Sequence, residues 1–406
     1  MDLVYRPVTE EEWDTWVTAL ARGFHDDGDS DEAERHRPLI EFDRSLGAFD
    51  GDELAGQTSA ISFGMTVPGG QLPTAGVTAV SVLPTHRRQG ILTELMRRQL
   101  EDVYERGEPL AALWASESVI YGRFGYGLAA EAHAVRIDRD RTEMVQMPEA
   151  AGSVRFVPRD EALERWPAIY DQVRRSRPGM MTRAPGLWSA FTVPQDEKAR
   201  GGFTKRQLVE YADAAGPGGY AIYAVKPEFP EGFPTGTLRV HELMAASGAA
   251  EAALWQYLFG VDLIGTIRAL GRPPDESLFW MLADPRRLQR RLFDTLWLRI
   301  LDVTAALEGR AYRAEGRLVL DVQDGFCPWA GGRFELTVEG GVATCRPTTL
   351  TADITLSTVD LAAAYLGGAR LSLLARAGRL EGEPAALRLA DALFGWDLLP
   401  WCADEF

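Results

Sequence analysis

Cysteine is scarce in this chain: three in 406 residues, Cys327, Cys345 and Cys402. They are too few and too scattered for a disulfide framework or a zinc site. A reducing cytoplasm is therefore the expected compartment, and no metal is expected. Apolar runs long enough to span a membrane are missing. Residues 1–13 lack a basic stretch followed by an apolar one, so no secretory leader is expected. Positive charge is also short: 43 Lys and Arg against 59 Asp and Glu give a net charge of −16. That disfavours non-specific nucleic-acid binding. It suits cationic partners such as polyamines, aminoglycosides or lysine-bearing peptides, although plain solubility accounts for it equally well. There are five histidines, and none has the setting of a catalytic base. His25, His36 and His86 read as loop residues, and His133 and His241 as strand residues. Two nucleotide motifs are absent. A phosphate-binding Walker loop needs Gly-Lys-Ser/Thr, and a dinucleotide fingerprint needs three spaced glycines where this chain offers only Gly90.

The length allows two or three domains, and 46% hydrophobic content argues against disorder. The most informative stretch is residues 77–106. Val77, Val80 and Val82 are β-branched and Pro84 ends the run, which reads as a strand. Ile91, Leu92, Leu95, Met96, Leu100 and Val103 then fall on one side of a helix, interrupted by Gln99. The joint between them is Thr-His-Arg-Arg-Gln-Gly, residues 85–90. A helix N-terminus carries unpartnered N–H groups and partial positive charge. Two arginines add full charge, and Gly90 lets a ligand come close to the backbone. A phosphate or pyrophosphate fits such a place. On chemistry alone, a basic turn ahead of a surface helix explains the joint equally well.

In chain order, residues 1–150 read as one α/β unit. A strand at 3–8 precedes a helix through 24, opened by a capping box of Thr9 and Glu12. In the acidic run 25–32, Asp27, Asp29 and Asp31 alternate like the start of a calcium loop. The sixth position is Glu32 rather than Gly and the twelfth is Pro38 rather than Glu, so calcium is rejected. A solvated loop is expected, which would also suit the mouth of a site for cations. Strands follow at 46–49, 53–67, 109–115 and 128–137, with a short helix at 117–124; the last strand closes the unit. Residues 143–152 read as a linker. A second α/β unit, 151–296, has a helix at 161–175, strands at 219–225 and 237–244 and a helix at 249–259. It repeats the strand–helix order of the first, but its joint, 245–251, has no arginine, so it should not bind a cofactor. Residues 297–406 segregate strands (316–322, 332–338, 342–347) from helices (361–366, 370–377, 384–393), an α+β pattern.

Residues 87–92, Arg-Arg-Gln-Gly-Ile-Leu, are similar to the coenzyme A loop of the GNAT superfamily of N-acetyltransferases, with Leu92 where a small residue is usual. Residues 115–127, Ala-Ser-Glu-Ser-Val-Ile-Tyr-Gly-Arg-Phe-Gly-Tyr-Gly, are more distinctive. With the chain length and the terminal Glu405-Phe406, they resemble the Eis (enhanced intracellular survival) family of these enzymes. The resemblance implies an α/β fold of two tandem GNAT acetyltransferase units, the second degenerate, plus a C-terminal α+β domain like sterol carrier proteins. It implies acetyl-CoA as co-substrate. Backbone groups of Val80, Ser81 and Val82 would meet the pantetheine arm. Arg88, Gln89, Gly90, Ile91, Leu92 and Thr93 would hold the pyrophosphate, and Ser116 and Glu117 would also touch the cofactor. Tyr121 would be the general acid, with Tyr126 its rival; a phenol of pKa ~10 matches a thiolate leaving group. The Phe406 carboxylate would act as base. With pKa ~3.5 it would work mainly by drawing in an ammonium and relaying its proton. Most chain ends fray, but Trp401 and Phe406 favour a docked tail. Phe24, Asp26 and Glu405 would contact substrate. The family's tryptophan in the acidic loop is missing from Glu34-Arg35-His36-Arg37, so substrate range should differ. A homo-hexamer is implied. The expected function is acetyl-CoA-dependent N-acetylation of a polycationic amine: aminoglycoside-like, polyamine or lysine. A lipid-binding carrier with a vestigial acetyltransferase unit, and an enzyme using longer acyl groups, are the alternatives.

Overall fold

The β-branched and small apolar residues of the first half build the core of a single large sheet. The structure, a computed structural model, describes residues 3–194 and 201–406. The sheet contains β1 (Val4–Pro7), β2 (Leu46–Asp50), β3 (Glu53–Val67), β4 (Gly70–Val82), β5 (Leu110–Trp114) and β6 (Gly127–Asp138). It continues with β7 (Ser153–Phe156), β8 (Gln207–Asp213), β9 (Gly216–Lys226), β10 (Gly236–Ala245), β11 (Ile264–Arg272) and β12 (Gln289–Ile300). Its spatial order is β1-β2-β3-β4-β5-β12-β6-β11-β10-β9-β8-β7.

That order departs from the expected one. The strand at 128–137 does not close the first unit. Instead β12 enters between β5 and β6, and the far edge of β6 pairs with β11 of the second unit. β12 also runs through the expected boundary at 296/297. The reason lies in its composition. Leu296, Leu298 and Ile300 have no exposed surface, and neither do Leu110, Ala111 and Ala112 of β5. Leu296, Leu298 and Ile300 share one face of β12 while Trp297 and the buried Arg299 lie on the other, so the strand is covered on both faces and is paired on both edges. Each unit therefore supplies a strand to the other.

A second sheet, in the order β15-β14-β13-β16-β17, comprises β13 (Gly316–Gln323), β14 (Gly332–Glu339), β15 (Val342–Pro347), β16 (Ile354–Ser357) and β17 (Glu381–Gly382). The helix Thr358–Tyr365 lies between the two sheets. Leu361 and Tyr365 share one apolar core with Leu296 and Leu298 of β12 and Leu320 of β13. The helix approaches so closely that a Cβ at Gly127 would clash with the Val359 carbonyl.

The helices Ile91–Glu105, Arg159–Ser176, Gly248–Gly260 and Pro384–Phe394 stand where periodicity places them. Gln99, the break in the first stripe, is buried. It accepts from the Thr58 hydroxyl at 2.8 Å and donates to the Ser59 carbonyl at 2.9 Å. The acidic run is only partly a loop, because Ser30–His36 is helical. Asp29 starts it as a cap: its carboxylate accepts from the Asp31 N–H at 2.9 Å and its carbonyl from the Ala33 N–H at 2.9 Å. Among the described residues, no helix is long and apolar enough to cross a membrane.

One buried ion pair joins the sheets. Arg299 of β12 lies 2.5 Å from Asp324, which follows β13, and neither side chain has more than 1% exposure. Asp324 also accepts from the Cys327 N–H and the Thr358 hydroxyl, each at 2.8 Å. Burial works to raise its carboxyl, but Arg299 outweighs this and the carboxyl is held below its ordinary range. Asp324→Ala strands the Arg299 charge and should cost about 3–5 kcal/mol in chemical denaturation. The double variant Arg299→Met/Asp324→Leu should recover most of that loss.

Candidate active site

The site begins where β4 and β5 part. They pair in parallel at Thr74–Leu110, Ala75–Ala111 and Gly76–Ala112, and nowhere beyond. β4 continues to Val82, so its edge facing the fork is left without a strand partner. On its other edge β4 carries a bulge against β3. Gln57 pairs with Ser81 and Ser59 with Thr78, so Ala79 and Val80 stand opposite Thr58 alone. Ala79 takes a left-handed φ of 53° to allow this. A bulge re-aims backbone groups that a regular ladder would bury. Val80 and its neighbours thus offer N–H and C=O groups to an extended ligand.

The loop after β4 separates its two arginines. Arg87 is tied down, donating to the Gly23 carbonyl at 2.9 Å and the Val82 carbonyl at 3.3 Å. Arg88 is exposed, and among the described residues no carboxylate lies within ion-pair distance of it. Arg88 (φ 65°) and Gly90 (φ 84°) both adopt left-handed backbone, which turns successive N–H groups toward one side. Nothing crowds Gly90, and the helix Ile91–Glu105 starts there with its first-turn amides available. Arg88, Gly90, Ile91, Leu92 and Thr93 therefore form a cationic cradle that fits a pyrophosphate. Gln89 is exposed in the same loop. The second joint differs: the Ser247 hydroxyl already accepts from the Ala250 N–H at 3.2 Å.

Tyr121 ends the short helix Ser118–Tyr121 and is 5% exposed. It shares an apolar cluster with Val77, Val80, Leu92 and Leu113, which flank the fork. Burial pushes its phenol above the ordinary value; Ser116 partly offsets this and Glu117 adds to it. Tyr126 packs edge-on against Tyr121, with centroids 5.9 Å apart, and is wholly buried. Its hydroxyl has no hydrogen-bond partner among the described residues. Two glycines around these tyrosines serve packing, while nothing crowds Gly122. Gly125 (φ 86°) leaves room for the Arg299 guanidinium, and Gly127 for the helix Thr358–Tyr365.

The chain end is docked rather than frayed. The Trp401 N–H donates to the Pro178 carbonyl at 2.9 Å and its indole to the Gly271 carbonyl at 2.9 Å. The Asp404 carboxylate accepts from Arg183 Nε at 2.7 Å and from the Tyr170 hydroxyl at 2.6 Å. Arg183 also grips Glu242 at 2.6 and 3.1 Å, and the Tyr220 hydroxyl donates to Glu242 at 2.5 Å. Burial alone would lower Arg183, but Asp404 and Glu242 raise it well above its ordinary value. Burial raises Asp404; it would raise Glu242 too, but Arg183 and Tyr220 hold that carboxyl low. Beyond this anchor the Phe406 ring packs against Phe63, with centroids 5.0 Å apart, and a Cβ at Gly76 would meet both rings. Gly76 is the last paired residue before the fork. Phe406 therefore sits at the fork with Thr78 and Ala79, while Val77 and Val80 adjoin Tyr121.

A cavity of about 400 Å³ opens beside Phe406, with Phe24, Asp26, His36 and Trp16 in its wall. The structure thus brings Phe24, Asp26 and Phe406 together. Glu405 faces elsewhere. It lines a smaller cavity of about 230 Å³ with Phe406 and Arg183, and a wide groove beyond it. Ser116 and Glu117 are exposed beside Tyr121. Arg183, Glu242, Tyr170, Tyr220 and Asp404 carried no sequence signal that marked them for this site.

A forked parallel pair, an anion cradle at the following helix and a fused third unit define an N-acetyltransferase of the GNAT superfamily, whose members use acetyl-CoA. Models of the acetyltransferase (GNAT) domain match residues 4–129 and 179–300, and a model of the sterol carrier protein domain matches residues 303–403. An N-acetyltransferase of Streptomyces avermitilis is 42% identical over 407 residues, covering 99% of each chain. N-acetyltransferase Eis of Mycobacterium tuberculosis is 36% identical over 413 residues, covering 98% of each. The crystal structure of Eis1 from Mycobacterium abscessus superposes with a TM-score of 0.87 at 33% identity over the whole of both chains. The chain belongs to the Eis family of N-acetyltransferases.

Arg183→Met would leave Asp404 and Glu242 facing each other without a cation, at a cost of about 3–5 kcal/mol. Turnover should fall with the loss of the docked tail, while coenzyme A affinity, read by calorimetry, should stay within about twofold because the cradle lies apart from the network.

Proposed function

We propose that this chain transfers acetyl groups to amines of polycationic molecules by direct attack, without a covalent enzyme intermediate. The observation that carries the reading is the fork, with Tyr121 in the cluster beside Val77 and Val80 and the docked Phe406 beside Gly76, Thr78 and Ala79. Acetyl-CoA supplies an activated thioester when bound. The open β4 edge at Val80, Ser81 and Val82 would hold its extended arm, and Arg88, Gln89 and the amides from Gly90 to Thr93 its pyrophosphate. Ser116 and Glu117 would flank the arm. Holding amine and thioester side by side supplies much of the rate.

Two proton movements remain. The Tyr121 hydroxyl donates to the departing sulfur; its raised pKa keeps it protonated through the neutral range. The Phe406 carboxylate draws in the acceptor ammonium and takes its proton, directly or through water. Asp26 and Phe24 form the wall that would receive further ammonium groups, with Glu405 on the far side of the tail. His36 lines the wall near the position where the family carries tryptophan, which supports a different substrate range. The second unit takes no part in cofactor binding, in keeping with the occupied cap at Ser247. We retain the division at 150/151 and 296/297 for the functional units, with β12 shared structurally. A cytoplasmic homo-hexamer completes the proposal; Trp280, 79% exposed, is a surface such an assembly would cover. The carrier reading has less support, because the apolar face of the third unit is packed on β5, β6 and β12.

Thiol release from acetyl-CoA with a panel of cationic amines tests the activity. Propionyl-CoA in competition tests the acyl preference. Tyr121→Phe should lower kcat by about 10²–10⁴-fold. In the wild type the alkaline limb of kcat should lie above pH ~10, since the phenol is shifted upward. Tyr126→Phe should leave kcat unchanged and stability equal or slightly higher, because it deletes a buried hydroxyl without a partner. Removing Phe406 should reduce turnover far more than coenzyme A binding, and wild-type turnover in that variant would overturn the base assignment.

A further inference from the structure

On the far side of the tail from Asp26, a groove of about 800 Å³ crosses the exposed face of β12, β6, β11 and β10. The strand registers align its charges in one row. Arg239 of β10 lies opposite Arg268 of β11, and Arg268 lies opposite Arg136 of β6. Gln289 of β12 is the next neighbour in that row, and Arg291 lies two positions along β12 on the same face. Neighbouring strands are about 4.8 Å apart, so the row packs three guanidinium groups across about 10 Å. Like charges directly opposite each other destabilise a sheet. In a chain of net charge −16, nothing in the overall composition calls for such a row.

The row is poorly compensated within the chain. Arg136 has Asp138 at 3.7 Å, with both side chains about half exposed. Arg239 lies over the Phe203 ring at 3.9 Å. Among the described residues, no carboxylate lies within ion-pair distance of Arg239, Arg268 or Arg291. The field is felt nearby. His241, in the groove wall, is pushed down to about 4 by burial first and then by Arg206 and Arg239. The groove also opens toward the chain end. His241, Ala403 and Glu405 line both it and the small cavity that Phe406 shares.

We propose that this groove is an oligoanion-binding site, and that it takes the end of an acceptor bearing linked phosphates or a run of carboxylates while the acceptor's amine reaches Phe406. The anion site stands on the arginine row alone; placing the amine rests on the acetyl-transfer reading above. Cationic groups would then be taken toward Asp26 and at Glu405 on the tail itself, and anionic groups toward Arg268 in the rest of the groove.

The test has two arms. In the first, tripolyphosphate is titrated calorimetrically into the full chain saturated with coenzyme A, which fills the pyrophosphate cradle. Wild type should bind it, with affinity falling as salt rises. Arg268→Gln and Arg136→Gln should each weaken binding by about tenfold or more, and the distant exposed Arg376→Gln should not. Because these side chains are exposed, the groove variants should unfold no earlier than wild type without polyphosphate. Absent binding, binding that survives Arg268→Gln, or a changed sedimentation coefficient in that variant, which would mean the row faces another copy, overturns the site. In the second arm, thiol release is followed with a lysine peptide bearing a glutamate run and with its glutamine counterpart. The acidic peptide should have the lower KM in wild type at similar kcat, lose that advantage in Arg268→Gln, and be displaced by tripolyphosphate. Equal KM values with polyphosphate binding intact overturn the acceptor assignment. No transfer to either peptide with binding intact overturns the acceptor assignment and leaves the anion site standing, and no transfer to the cationic amine panel as well overturns the acetyl-transfer reading.

Discussion

The Arg183 side chain is buried between Asp404 and Glu242, and the position of the chain end depends on that contact. A guanidinium taken out of water is tolerated only when its hydrogen bonds are well made. Here one carboxylate comes from the tail and the other from β10, while Tyr170 and Tyr220 satisfy further oxygens. One cation cannot neutralise two carboxylates, so the cluster keeps a negative excess. Burial raises the Asp404 carboxyl and Glu242 adds to this, whereas Arg183 and Tyr220 overcome burial at Glu242 and hold that carboxyl low. The consequence is geometric. With Asp404 fixed, Phe406 has two residues of freedom, and packing on Phe63 removes most of it.

The same interdependence governs the units. β12 belongs by sequence to the second unit but completes the sheet beside β5 of the first. It also carries Arg299 into the third unit, and Gly127 lets the helix Thr358–Tyr365 lie on β6 without clash. The first unit would expose an apolar edge without β12, and the tail would have no anchor without β10 and the helix Arg159–Ser176. The fork alone could bind a cofactor. Docking the Phe406 ring beside it takes residues from all three units.

What was legible in the sequence was local. The strand–loop–helix at 77–106 has its own periodicity, and the run 115–127 stood out by its resemblance to the Eis family, so both were visible without tertiary knowledge. The roles of the glycines in that run were not visible, because Gly125 and Gly127 answer to Arg299 and Val359, far along the chain. Gln99 broke the stripe for the same kind of reason: its partners are on β3. The strand exchange left no periodic trace, since β5 and the end of β12 are apolar at nearly every position and a run without alternation does not announce its partner. Arg183 and Asp404 are 221 residues apart, and no spacing rule reaches that far. The residue types at the tail were readable, but the forces that dock it were not.

Charge is where sequence and structure diverge most. The net value of −16 suits cationic partners and plain solubility equally, and the cavity beside Phe406 sets Asp26 and Asp29 among mostly apolar residues. Yet an average hides register. Arg136, Arg239 and Arg268 each sit between buried apolar neighbours on their own strands, which is ordinary alternation when each strand is read alone. Only the pairing of β6, β11 and β10 makes them a row. That pairing exists because β6 left the first unit to join the second, so the strand exchange that completes the fork also assembles the arginine face next to it. The cavity on the other side of the tail owes nothing to that exchange: apart from Leu187 and Phe406 it is lined by residues 13–79 of the first unit. Net charge is thus a poor guide to the faces around Phe406, which differ in sign: Asp26 stands on one side and the arginine row on the other.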